Sequence, residues 1–117
     1  YDSVVISVLH EVQYPDMVAE MADFLLRLEE TEWAMAIGYY QHSLFVSLRT
    51  TSRDVNAGEI LQKVLGSSSA GGHDMIAGGR ISVTAKGVGV EKAAVRIKDR
   101  LLKVLGVTAA PAIDLVR

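Results

Sequence analysis

Arg49 lies in the stretch "SLRT" (residues 47–50), and residues 71–79 read "GGHDMIAGG", preceded by "GSSSA" at 66–70. A guanidinium beside Ser47 and Thr50 offers a planar fork of donors that suits bidentate recognition of phosphate or carboxylate. The alternative is an ordinary solvated arginine at a strand end, and the residue types alone favour neither. Glycine loses the most backbone freedom on folding, so four glycines in nine residues need a purpose. Main-chain N–H groups laid bare by glycine can form an anion nest, more so where a loop opens a helix. The stretch is not a Walker A loop, because no Gly-Lys-Ser/Thr ends it. Nor is it a dinucleotide fingerprint, because the G-x-G-x-x-G spacing is missing. Taken alone, it reads more readily as a structural turn than as a phosphate site. His73 could donate to a phosphate or a base edge, with a charge that varies near neutral pH. By itself it reads more simply as a loop histidine bonded to a nearby carbonyl. Asp74 reads as a capping or solvated acid, and Gly78 and Gly79 as close backbone packing at the entry to the next strand.

What the chain lacks narrows the chemistry further. Its 117 residues suit one domain, 1–117, and with half of them hydrophobic and 22% charged a packed core is expected. The formal net charge of −2 gives no general attraction for nucleic acid, so any anion-binding surface must be local. There is no cysteine, which excludes disulfides and thiolate metal sites and fits a reducing cytoplasm. The histidines, His10, His42 and His73, are far apart, with no H-x-x-x-H or D-H-H cluster. A two-metal hydrolytic site needs several such ligands converging on ions about 3.5–4 Å apart. No metal ligand or catalytic residue is therefore assigned, and the chain alone is not expected to hydrolyse phosphodiesters. No apolar run reaches the roughly 18–20 residues of a membrane span, and no signal peptide is visible. The chain starts without Met and almost at once enters a strand-like run, which reads as a piece of a longer protein.

The elements that must position these residues follow from periodicity. The Val/Ile-rich start predicts a strand at about residues 3–9. Val18, Met21, Ala22, Leu25 and Leu28 predict a helix after Pro15, with Asp16, Glu20 and Asp23 on its outer face. Two strands at roughly 33–40 and 43–50 meet at a tight turn around Gln41 and His42, with Leu44, Val46 and Leu48 on a core face opposite Phe45, Ser47 and Arg49. Asp54 or Asn56 can cap a short helix that stops at Gly66. A glycine-rich loop follows, then a strand over 80–87 and a helix whose apolar stripe is Val90, Ala93, Ala94, Ile97, Leu101, Val104 and Leu105. The last residues read as either strand or linker. The order predicts an α/β fold: a single domain with a mixed sheet of four or five strands flanked by about three helices. His10 and His42 read as satisfied or solvated. Trp33, Tyr39 and Tyr40 read as core in preference to base-stacking platforms. Lys92, Arg96, Arg100 and Lys103 form a basic stripe on the last helix, read as a solvated face before a nucleic-acid track or a domain interface.

Taken together, "SLRT" at 47–50, "DVNAGEI" at 54–60 and "GGHDMIAGG" at 71–79 resemble the DHH-associated C-terminal domain of DHH-family phosphoesterases. That family includes RecJ-type exonucleases, oligoribonucleases, cyclic-dinucleotide phosphodiesterases and exopolyphosphatase-like proteins. The resemblance implies a cytoplasmic substrate-binding module with no cofactor of its own, set across a cleft from a catalytic domain that carries manganese. It implies that Arg49 holds a substrate phosphate. His73 and the main chain of Gly71 and Gly72 would contact the phosphate or nucleotide, and Asn56 would cap or support, with Ser47, Gly78 and Gly79 in supporting places. Short oligonucleotides, nucleotides and polyphosphate are the ligands it suggests, and the absent catalytic domain is the expected partner. Ala70 stands where the family often has a further glycine, which is similar to the exopolyphosphatase-like branch. The alternative is a stand-alone RNA-binding module, since the C-terminal domain of alanyl-tRNA synthetase shares the architecture. A sensory or assembly domain that dimerises through a sheet edge is a third reading.

Overall fold

The structure, a computed structural model, describes residues 4–28, 31–52, 55–66, 70–72, 75–83 and 88–106. Strand β1 (Val4–Glu11) leads into helix α1 (Asp16–Leu28), then to β2 (Trp33–Tyr40) and β3 (Ser43–Thr50). Helix α2 (Ala57–Leu65), strands β4 (Ala70–Gly72) and β5 (Ile76–Ser82), and helix α3 (Val88–Leu105) follow. The five strands form one sheet in the order β1-β2-β3-β5-β4. β1 and β2 are parallel across the α1 crossover, and every other pairing is antiparallel. This is the α/β mixed sheet with three helices that the patterning predicts.

The 33–50 hairpin has the expected boundaries, and its turn places Gln41 and His42 in the left-handed region at φ 45° and 68°. Positive φ at both central residues matches the right-handed twist of paired strands. On one face Met35, Ile37, Leu44, Val46 and Leu48 pack with Ile60, Leu61 and Val64 of α2 and Ile97, Leu101 and Leu102 of α3. Trp33 and Tyr39 are buried in the same core, as their packing role requires, so they offer no stacking platform. Asn56 caps α2, its side chain accepting from Glu59 N at 3.1 Å, and Gly66 ends the helix at φ 99°. His10 and His42 are exposed.

The opposite face is built for a close helix. Along β2 it carries Ala34, Ala36 and Gly38, opposite Arg49, Ser47 and Phe45 of β3, with Tyr40 at the strand end. Val18, Ala22 and Leu25 of α1 bury themselves over these small residues. Two expectations for α1 need correction. Leu28, placed inward by periodicity, is exposed as the last residue of the helix. Asp23, placed on the outer face, points at the sheet and meets Arg49.

The stretch expected to be a glycine loop is mostly strand. Ala70–Gly72 forms β4, and β5 begins at Ile76, inside the glycine-rich segment and not at residue 80. Gly71 pairs with Gly78, and Ala70 with Gly79, so the glycines meet across a hairpin. Residues 73 and 74, 84–87 of the expected strand, and the tail from 107 lie outside the described residues.

The approach of α1 sets a sharp packing limit. A Cβ at Gly38 would lie 2.7 Å from Val18 Cγ2 and 2.9 Å from Val12 Cγ1. Branched valines cannot swing away, so Gly38→Ala should destabilise the fold by about 1–3 kcal/mol despite the entropy alanine saves. Urea unfolding checks this, and an unchanged midpoint would show that α1 can lift at no cost.

Candidate functional site

Helix α1 lies over β2 and β3, with lesser contact to β1. The same face of β5 and β4 is left open. Directly opposed residues of an antiparallel pair share a face, so the register lays out three rows across the sheet. The middle row runs Ala36, Ser47, Gly78, Gly71. On one side of it stand Arg49 and Ile76, and on the other Phe45 and Arg80. Same-face residues along a strand are about 6.7 Å apart, so the flanking rows stand about 13 Å apart with small side chains between them. The result is a slot. Its inner end, at Ala36 and the buried Ser47, lies under α1, and its outer end, at Gly78 and Gly71, is exposed.

Among the described residues nothing explains the glycines of the outer end. A Cβ at Gly71 would meet nothing within 4 Å, and one at Gly78 would meet only Val46 O at 3.8 Å, an ordinary contact. Neither adopts a positive φ. The expectation that Gly78 serves close internal packing is therefore corrected. Glycine weakens a strand interior and commonly marks close approach by a ligand or another backbone.

Arg49 stands beside α1, where Asp23 of the helix meets the sheet. It is not a solvated arginine, being only 8% exposed. Its Nε donates to Asp23 Oδ1 of α1 at 2.7 Å, and its Nη1 donates to Leu48 O and Ala77 O, both at 3.1 Å. Three of its five N–H groups are thereby engaged, and Nη2 has no partner among the described residues. The guanidinium is fixed on three sides with one edge left for a ligand. Thr50, in contrast, is spent on structure: its hydroxyl donates to Glu32 O at 2.9 Å.

The structure thus brings Arg49, Ser47, Gly71 and Gly78 to one surface. Gly72 and Gly79 pair with Ala77 and Ala70 and belong to the alternate positions of the same hairpin. Asn56 sits at the start of α2 as a cap. His73 falls outside the described residues. Patterning missed Asp23, which sits 26 positions from Arg49 and carried only the signal of bordering the buried Ala22. It also missed Arg80, Ile76 and Phe45, which the register alone places beside the glycines. Among the described residues no three His, Asp or Glu side chains are grouped to hold a metal ion. No helix among them is long and apolar enough to cross a membrane.

Residues 2–108 match the DHHA1 domain, and the chain belongs to that family. It is 28% identical over 111 residues to an uncharacterized protein of Methanocaldococcus jannaschii, covering 90% of this chain but only 23% of that protein. The chain therefore spans about a quarter of that relative's length. Three solved structures share the fold. The C-Ala domain of Aquifex aeolicus alanyl-tRNA synthetase superposes with a TM-score of 0.61 at 19% identity, over 84% of this chain and 89% of that one. An exopolyphosphatase-related protein from Bacteroides fragilis gives 0.63 at 14% identity, over 86% and 29%. A pGpG-specific phosphodiesterase from Vibrio cholerae gives 0.58 at 13% identity, over 92% and 35%.

The two sides of the Arg49–Asp23 pair differ in exposure, the Asp23 side chain being 48% accessible and that of Arg49 10%. Asp23→Ala should cost under about 1 kcal/mol, as exposed ion pairs do. Arg49→Ala also deprives the Leu48 and Ala77 carbonyls of a donor and should cost about 1–3 kcal/mol. Equal losses in chemical denaturation would show that the ion pair, not the carbonyl bonds, anchors the arginine.

Proposed function

We propose that this chain is a substrate-gripping domain of a DHH-family phosphoesterase, holding phosphate groups of a nucleic-acid-derived or polyphosphate ligand in the slot beside α1. The observation that carries the reading is the glycine row, which no contact among the described residues requires, lying next to an arginine whose free edge is held in place. This cradle, a fixed guanidinium beside a floor that carries no side chains, lets a phosphate come close to the sheet without any general positive field. The phosphoesterase likenesses of the fold and the DHHA1 membership support the same assignment. In this reading hydrolysis belongs to a manganese-bearing catalytic domain, and the residues described here supply grip and orientation. His73, by its motif position, would join Gly71 and Gly72 at the phosphate.

The glycine row permits an unusual separation of stability from binding. Gly71→Val has open space for its side chain and a better strand former in place of glycine. It should fold at least as stably as the parent yet lose affinity for a short 5′-phosphorylated oligonucleotide or polyphosphate by about tenfold or more, because the added methyls occupy the ligand's approach. Backbone amide shifts during titration check this. Shifts centred on residues 49 and 71–78 that vanish in Gly71→Val support the cradle, and equal affinity in both proteins sinks it.

A stand-alone RNA-binding role would draw on α3. Lys92, Arg96, Arg100 and Lys103 are exposed there, but Glu91 and Asp99 share their surface, and Arg100 Nη1 donates to Val64 O at 3.3 Å. Such mixed charge is a poor backbone track. The Lys92→Ala, Arg96→Ala double variant should keep oligonucleotide affinity within about twofold. A large loss, with affinity falling steeply as salt rises, would favour the RNA reading instead.

A further inference from the structure

Arg80 is the second cation on the open face. It stands opposite Phe45 in the register, and its Cζ lies 6.0 Å from the Phe45 ring centroid. The ring is itself held edge-on by Tyr40, with centroids 6.3 Å apart. A guanidinium resting on an aromatic face gains electrostatic attraction and loses conformational freedom, while its in-plane N–H groups stay available. Arg80 is exposed and forms no ion pair with a carboxylate among the described residues. It is therefore positioned as Arg49 is, but without the carboxylate counter-charge that Asp23 gives Arg49.

We infer that Arg80 is a second anion-binding residue of the slot, which takes ligands with two phosphate groups in preference to a lone phosphate. The inference rests on the cradle described above and extends it. Arg49 and Arg80 occupy the rows on either side of the glycine floor, about 13 Å apart along the strands. The Arg49 guanidinium reaches over to Ala77 O, which brings it closer to the glycine row. One compact phosphate cannot span both cations in this arrangement, whereas two linked phosphates can each meet one guanidinium above the glycines. The chain carries a net charge of −2, and α1 bears Asp16, Glu20 and Asp23 along its length, so no diffuse field assists binding. Preference for a second phosphate must come from Arg80 itself. Linear polyphosphate and a 5′-phosphorylated dinucleotide share this chemistry.

Calorimetric titration of the protein with inorganic phosphate, tripolyphosphate and a 5′-phosphorylated dinucleotide tests the assignment, using Arg80→Gln, Arg80→Lys and Arg49→Lys. Arg80→Gln should weaken whichever two-phosphate ligand is native by about tenfold, leave weak inorganic phosphate binding unchanged, and keep the thermal midpoint of the parent. Arg80→Lys should recover part of the loss. The ligand more affected identifies the source of the phosphates. Unchanged affinity for both two-phosphate ligands in Arg80→Gln would overturn the role of Arg80, and so would an equal loss for inorganic phosphate. Arg49→Lys separates the two levels: if it also changes nothing for any ligand, the cradle itself fails, not only its second subsite.

Discussion

An α-helix is about 10 Å across with its side chains, and neighbouring strands are about 4.8 Å apart, so one helix covers roughly two strands. This protein sets two helices on one face of a five-stranded sheet and a single helix on the other. The imbalance leaves the outer strands bare on the side of α1. Everything that qualifies as a site follows from it: the exposed glycines, the arginine at the helix margin and the slot running inward from the sheet edge. The small residues Ala34, Ala36 and Gly38 fix where the boundary falls, because they draw α1 down over β2 and β3.

The buried end of the boundary carries the polar cost. Arg49 is largely shielded from water, and Asp23, Leu48 O and Ala77 O accept from the donors that its burial would otherwise strand. These bonds tie three elements to one side chain: the covering helix, the central strand and the first bare strand. They also restrict the guanidinium to a single orientation, so little rotamer entropy remains to be lost when a ligand arrives. The stacking of Arg80 on Phe45 achieves a similar restriction by a different force.

Legibility in the sequence followed the side chains. The 33–50 hairpin could be read to the residue, since aliphatic and polar positions alternate and the turn is short. The glycine stop of α2 was equally plain, while its cap was narrowed only to Asp54 or Asn56. Patterning failed at 70–79 because glycine has no side chain to alternate, so a strand made largely of glycine carries no period-two signal. Its strand character comes from pairing with β3 and β4, which is a tertiary fact. Arg49 was conspicuous by type, but its burial and its bond to Asp23 depend on a helix lying across the sheet. Arg80 went unnoticed for the same reason: only the register of β5 against β3 sets it beside the glycines.

The bare strands also divide the molecule into regions with different freedom to vary. Under α1 a single added methyl meets valine side chains, so that face tolerates almost no substitution. On the open face the glycines at 71 and 78 and the side chains of Ile76 and Arg80 are exposed and contribute little to the cohesion of the core. Selection can therefore exchange them without risking collapse of the domain. A scaffold arranged in this way can be fitted to new ligands by altering a few positions on one ledge, while its interior stays packed as before.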